Sequence, residues 1–523
     1  MENNNYENLY KPETPVSEQF TPPPAMPVPE VPPKPEIKYS NIERISAFLC
    51  MILGFLFIRF VFYHETGLFT TIFYWLFTTL EVIFVKKSDN QFSKGSKFMI
   101  AVLYLFSCVF TITANVLLKN LTVIFLILVS GLFLLGINSN LNNVLKFLPE
   151  SIPLIGIAMP FAESNKCFGA INSSHKSKGL WKNLGYILGG LAIALPLTAL
   201  VATLLCQSDE NMSALLGKFL KIPPENMLLL AFHALLGIPV GFLIFSSFYS
   251  STHHSVILNS ETCEQKAIAR RFIPNMILYT AVTPICILYI LYIISQINYF
   301  MGGFMGILAE GYTYAEYARK GFFELCIVCC INFLVITCIH TYAKITDSET
   351  SKKPLALKIY SIYLCFCSLF LSGTAIAKMI LYIQYYGMTR LRIYTTWFMI
   401  LLVIGFVLII IQQFIKKLNA GKIAFIAFTI MFGLLCFSKP DAFIAHYNAN
   451  QYLNGNLEDF DNYMLRDLSN DAWATLSFYD NDDLEKLNIK ENLQAKKEIL
   501  AYDFYQELNL SAWEILSNVK SES

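Results

Sequence analysis

From Arg44 to Phe437 the sequence alternates between apolar runs of membrane-spanning length and short polar joints. A bilayer core takes roughly 20 apolar residues per helix, because in lipid only a helix satisfies its own backbone hydrogen bonds. Eleven such runs are expected, at about 45–63, 67–85, 98–117, 121–137, 184–205, 228–249, 276–298, 321–342, 359–385, 396–415 and 423–437. This reading treats Gly67 and Lys119-Asn120 as turns between adjacent spans. Composition agrees: 55% of the 523 residues are hydrophobic and 15% charged, against about 25% charged in soluble domains. Mean hydropathy is +0.49. The fold class expected is an all-α integral membrane protein, with about eleven transmembrane helices and a C-terminal acidic helical extracytoplasmic domain.

Three regions follow: a Pro-rich disordered cytoplasmic tail over 1–41, a polytopic transmembrane domain over 42–438, and the acidic helical domain over 439–523. The tail holds ten prolines and almost no periodic apolar residues. Such a segment cannot bury enough surface to fold and is expected to populate extended polyproline II. It lacks the basic start and short apolar stretch of a cleavable signal peptide.

Loop charge sets the expected orientation. One alternate set of loops carries nineteen Lys and Arg, the other seven. Basic loops favour the cytoplasm, so the N-terminus is expected inside and, after eleven crossings, the C-terminus outside. Residues 441–523 hold sixteen acids against six bases, a net charge of −10. Their apolar residues recur at helical spacing, and Leu468-x-x-x-Ala472-Trp473-x-x-Leu476 matches Leu508-x-x-x-Ala512-Trp513-x-x-Leu516 at a 40-residue offset. Trp473 and Trp513 are both expected to pack among leucines. Two such units do not establish a solenoid.

Candidate chemistry is sparse. Most of the 13 cysteines lie inside apolar runs, and Cys326-x-x-Cys329-Cys330 lacks a His or Cys partner at ligand spacing, so cysteine reads as a packing residue. Asp480-Asn481-Asp482 opens like a calcium loop, but Leu484 and Glu485 stand where a ligand and the turn glycine belong. No catalytic motif, metal set or cofactor site is expected. A net charge of +1 gives no nucleic-acid footprint. Arg59 and Glu81 lie within about a turn of a span end, where long side chains reach the interface. Glu324 and Lys378 form a better pair near the outer boundary. The midplane reads as nearly free of charge, which argues against a proton pump or voltage sensor. Pro196, Pro239 and Pro284 fall inside spans, with Gly237 and Gly241 flanking the second. They are candidate helix-break sites of the kind from which transporters build substrate sites, or kinks that only shape packing.

The outer loops carry the most distinctive text: Gln296-Ile-Asn-Tyr299, Tyr312-Thr-Tyr314-Ala-Glu316-Tyr317-Ala-Arg319-Lys-Gly321, Tyr386-Gly387-Met-Thr389-Arg390-Leu-Arg392-Ile-Tyr394 and Asp441-Ala-Phe-Ile-Ala-His446-Tyr447-Asn448. These strings resemble, over roughly residues 180–480, a bacterial multi-pass membrane family catalogued as domain of unknown function 4173 (4153-like). The resemblance implies a polytopic protein of the bacterial cell membrane and supplies no substrate, cofactor or catalytic residue.

The residues themselves offer a candidate anionic-ligand or headgroup site from Arg319, Arg390 and Arg392, oriented by Glu316 and Glu324. Planar guanidinium forks match phosphate oxygens. An ordinary interfacial anchor is the alternative. Three functions stay open: a transporter-like or lipid- and envelope-handling protein, a membrane sensor or assembly scaffold, and an outer-face transferase. Membrane lipids are the expected partners, and the Pro-rich tail and the acidic domain are each candidates for a protein partner.

Overall fold

The computed structural model describes residues 39–63, 66–87, 91–173, 198, 201, 205, 224–304, 322–344, 354–415, 417–503 and 508–518. Among them, ten helices are long and apolar enough to cross a membrane. They are α1 (Asn41–Tyr63, whose last turn is a π-helix), α2 (Leu68–Lys87), α3 (Lys94–Ile112), α4 (Val116–Asn138) and α5 (Pro224–Thr252). The rest are α6 (Asn275–Phe304), α7 (Phe322–Tyr342), α8 (Leu355–Tyr386), α9 (Arg390–Phe414) and α10 (Ala420–Phe437). The chain is therefore a multi-pass membrane protein. The tail up to residue 38 and the expected span at 184–205 apart from 198, 201 and 205, so Pro196 included, lie outside the described residues.

Polar residues mark where the helices begin. Ser40 and Glu43 form a reciprocal capping box on α1, and Ser93, Asn115, Thr389 and Asn419 accept from the first-turn amides of α3, α4, α9 and α10. The turn between α3 and α4 falls at 113–115, not at Lys119-Asn120 as the sequence reading had it. Asn115 is the cap, and Lys119 sits in the first turn of α4, where its ammonium donates to the Thr66 carbonyl.

Cross-connections sort the joints into two ends. At one, Leu258 N donates to Ser139 (2.8 Å), Asn419 to the Asn142 carbonyl (2.7 Å), and Arg270 pairs with Glu150 (2.6 Å). Ile273 bridges to Ala343 there, and Lys146 meets Glu264 at 2.9 Å. At the other end lie the 113–115 and 387–389 turns and, among the described residues, a cap of six short helices. These are α11 (Pro440–Leu453), α12 (Asn462–Asp467), α13 (Asn470–Leu476), α14 (Asn481–Lys486), α15 (Lys490–Asp503) and α16 (Leu510–Asn518). Large apolar side chains such as Ile124, Leu288, Leu334, Phe366 and Leu434 are exposed along the spans, as lipid contact requires.

Three features fix the packing. A Cβ on Gly54 of α1 would stand 2.2 Å from the Gly237 carbonyl of α5, and one on Gly241 would stand 2.8 Å from the Cys50 carbonyl. These small residues let two backbones touch, a membrane packing device. Helix α5 runs through Pro239 and α6 through Pro284 without interruption, so the glycines beside Pro239 meet α1. A second cluster joins α6 to α9 and absorbs Cys329 and Cys365 as packing residues. The cap has its own core of Ile444, Leu465, Trp473, Leu476, Leu484 and Leu493, which takes in Met388 and Ile393 from the α8–α9 junction. Trp473 is 5% exposed but Trp513 is 58% exposed, so the two matching strings are not packed alike. On α16 the buried positions are Ser511, Ala512 and Ile515, and Trp513 points away.

Candidate functional site at the capped end

Two buried carboxylates organise this end. Asp441 stands in the first turn of α11, behind Lys439, which adopts a left-handed backbone (φ 47°), and Pro440. The bend turns the chain from α10 into the cap, and the carboxylate faces a helix N-terminus, where negative charge is favoured. Arg390, the first residue of α9, donates from Nε to Oδ1 (2.8 Å) and from Nη2 to Oδ2 (2.5 Å) of Asp441. Asn115 Nδ2 adds 2.8 Å and the Ser469 amide 3.1 Å. Burial pushes the Asp441 carboxyl up. The hydrogen bonds from Arg390 and Ser469, with the Arg390 charge, outweigh it and hold the group below the usual carboxylate range.

Asn115 does two things with one side chain. Its oxygen caps α4 at Leu118 N (3.1 Å), while its nitrogen donates to Asp441 and to the Tyr394 hydroxyl (2.9 Å). Two residues earlier, Thr113 and the Ala114 amide (2.8 Å) donate to Asp471 of α13, which also accepts from Ser511 of α16 at 2.5 Å. Asn448 of α11 completes the seam by exchanging hydrogen bonds with Met388, 2.7 Å from its amide and 2.9 Å to its carbonyl. Gly387 beside it has φ 73°, and a Cβ there would lie 2.6 Å from the Asn448 oxygen.

Two of the arginines expected to hold a phosphate, Arg390 and Arg392, are thus differently employed. Both donors of the Arg390 fork meet Asp441. Arg392 donates to the Tyr386 carbonyl (3.0 Å) and the Gly387 carbonyl, closing the end of α8, and lies 4.0 Å over the Tyr382 ring. Glu324 is exposed on the first turn of α7, and its electrostatic partner is Lys378 of α8. Arg319 and Glu316 lie outside the described residues. Sequence reasoning missed the partners Asp441, Asn115 and Asp471. The signal present was textual, since Tyr386-Gly387-Met-Thr389-Arg390 and Asp441 through Asn448 are both among the distinctive strings, and they are the two sides of this seam.

The cap surface carries a groove of about 440 Å³ lined by His446, Asn450, Thr475, Phe478, Tyr479, Asp480 and Asp483. Tyr479 donates to Asn450 Oδ1 (2.9 Å) and stands 3.0 Å from His446 Nδ1, while Asn450 Nδ2 stands 3.0 Å from His446 Nε2. With Tyr479 donating to Asn450 Oδ1, the ring of bonds closes when Nδ1 carries the hydrogen and Nε2 accepts. Burial, and then Asp483, push the Tyr479 phenol up. Among the described residues no group of three or more His, Cys, Asp or Glu could hold a metal ion.

A family model described as Domain of unknown function (DUF4153) matches residues 99–477. The match takes in Asn115, Arg390, Asp441, Asn448 and Asp471, begins farther upstream than the sequence strings suggested, and excludes α1, α2 and α14 to α16. No curated protein and no solved structure matches the chain.

Proposed function

This chain belongs to the DUF4153 family, and we propose that it is a membrane-anchored sensor or assembly scaffold whose cap holds a cationic protein segment and couples that contact to the spans. One observation carries the reading: the cap is joined to the membrane helices through two fully buried carboxylates, not through a linker. Asp441 and Asp471 are 0% and 1% exposed, with partners on the α3–α4 turn and α9 as well as within the cap. Breaking the Asp441–Arg390 pair costs about 2–4 kcal/mol, less than a fully buried pair because Arg390 is partly exposed. A shift of the cap therefore has to move the span ends with it. The net charge of −10 over 441–523 and the groove edged by Asp480 and Asp483 favour a basic peptide, drawn in by long-range attraction. Basic loops gather at the opposite end, with Lys146, Arg270, Arg271 and Lys344, which supports a cap on the outside.

The test uses the full-length protein in lipid nanodiscs with an Arg-rich peptide and a neutral peptide of equal length. The basic peptide should bind at low salt and weaken as salt rises. It should slow amide hydrogen exchange both at 475–484 and at 108–118. Asp471→Asn should keep the peptide but lose the effect at 108–118. Binding with no effect on the span ends overturns the coupling, and no preference for the basic peptide overturns the partner class.

A further inference from the structure

Helix α2 carries a polar stripe that the cap does not explain. Thr71, Tyr74, Thr78 and Glu81 lie at intervals of three or four residues, so they share one face over about 15 Å of helix rise. All four are buried, Glu81 completely. The sequence places Glu81 where a long side chain could reach the interface. In the structure its carboxyl turns inward, and Oε1 accepts from Ser130 Oγ of α4 at 2.8 Å. Among the described residues, Glu81 Oε2, Thr78 Oγ1 and Tyr74 Oη have no hydrogen-bond partner. Among the described residues, Ser130 is the group that acts on the carboxyl. No charged side chain from α1, α3, α4 or α5 does so, and Tyr74 is the other titratable group of the stripe.

Packing alone gives no reason for this arrangement. A polar atom at membrane depth is expensive to leave unpartnered, and ionisable residues there mark ion or proton pathways. Here three such atoms fall on successive turns of one face. Nearest the cap, the stripe ends in a satisfied link: Thr71 Oγ1 meets the Ser107 carbonyl and Thr111 Oγ1, both at 2.8 Å. Two residues beyond Thr111, Thr113 donates to Asp471. The stripe thus runs from the Glu81 carboxyl toward the turn that clamps the cap.

We propose that Glu81 is an intramembrane proton-binding site, with Thr78 and Tyr74 holding the water molecules that connect it toward the 111–113 turn. The step is simple acid–base exchange: hydronium gives its proton to the carboxylate and leaves water, and release reverses it. No other reactant is needed. The assignment is independent of the cap's proposed role, because Glu81 lies outside the seam.

Infrared difference spectra of the full-length protein in lipid, recorded between pairs of pH values, test it. Wild type should show a protonated-carboxyl band that appears and disappears with pH, and Glu81→Gln should lose that band while keeping its thermal midpoint. Thr78→Val and Ser130→Ala, which leave the carboxyl in place, should displace the titration midpoint. They serve if Glu81→Gln fails to fold. A band that survives in Glu81→Gln, or a midpoint unmoved by both neighbouring substitutions, overturns the site. If sodium at fixed pH removes the band in wild type, the site takes a metal cation and the proton assignment fails.

Discussion

Arg390 grips Asp441 with two parallel hydrogen bonds, at 2.8 and 2.5 Å, across 51 residues of chain. The geometry is the fork-to-carboxylate match that makes arginine hard to replace by lysine. It joins the start of α9 to the start of α11, and Asn115 brings the start of α4 to the same carboxylate.

Asp441→Asn should therefore destabilise the protein by about 2–4 kcal/mol, somewhat less than a fully buried pair because Arg390 is partly exposed. Arg390→Lys should cost less, about 1–2 kcal/mol, by losing the second bond and keeping the charge. Thermal unfolding in nanodiscs reads both. Equal melting of wild type and Asp441→Asn would remove the seam as a stabilising element.

The same carboxylate predicts an acid limb. Its folded-state pKa is depressed, so its stabilisation is fully present above the unfolded carboxylate value, near 3.9, and is lost as pH falls through the lower folded value. Asp441→Asn should flatten the fall in melting temperature below about pH 4. An unchanged acid limb would place the sensitivity in other groups.

Gly387→Ala should cost about 1–3 kcal/mol, because φ 73° with extended ψ is open essentially to glycine alone. The new Cβ also meets the Asn448 oxygen. Since that oxygen receives the Met388 amide, the loss should be accompanied by faster exchange at Met388. A variant that melts like wild type would show that this turn relaxes freely.

The two tryptophans should separate cleanly. Trp473→Ala opens a hole in the cap core and should cost about 3–5 kcal/mol. Trp513→Ala alters a largely exposed side chain and should stay within about 0.5 kcal/mol. Protease sensitivity of the cap is the measurement, and similar behaviour of the two variants would contradict the packing.

Sidedness is also open to direct test. Gln91→Cys at the basic-loop end and Glu458→Cys at the capped end should react from opposite sides of the membrane with an impermeant thiol reagent. On intact cells only the second should label above the background of the native cysteines. Labelling of Gln91→Cys alone, or of both equally, would reverse or remove the orientation.

Span character was legible in the sequence because it is a local property: a run of apolar residues long enough to cross lipid is a helix wherever it sits. Ten of the eleven expected runs coincide with a spanning helix, although the joint between the third and fourth lies at 113–115 and not at Lys119-Asn120, and the Trp473 helix follows from periodicity in the same way. Partner choice is not local. Arg390 and Asp441 read as a headgroup site and a cap residue until folding brought α9 and α11 together, and Gly237 and Gly241 read as helix breakers until α1 lay against them. Glu81 shows the reason most plainly. Sequence gives its depth along α2 to within a turn, but its rotation about the helix axis depends on which neighbours cover that face. Only the packing of α2 near Ser130 turns the carboxyl from the interface into the protein's interior.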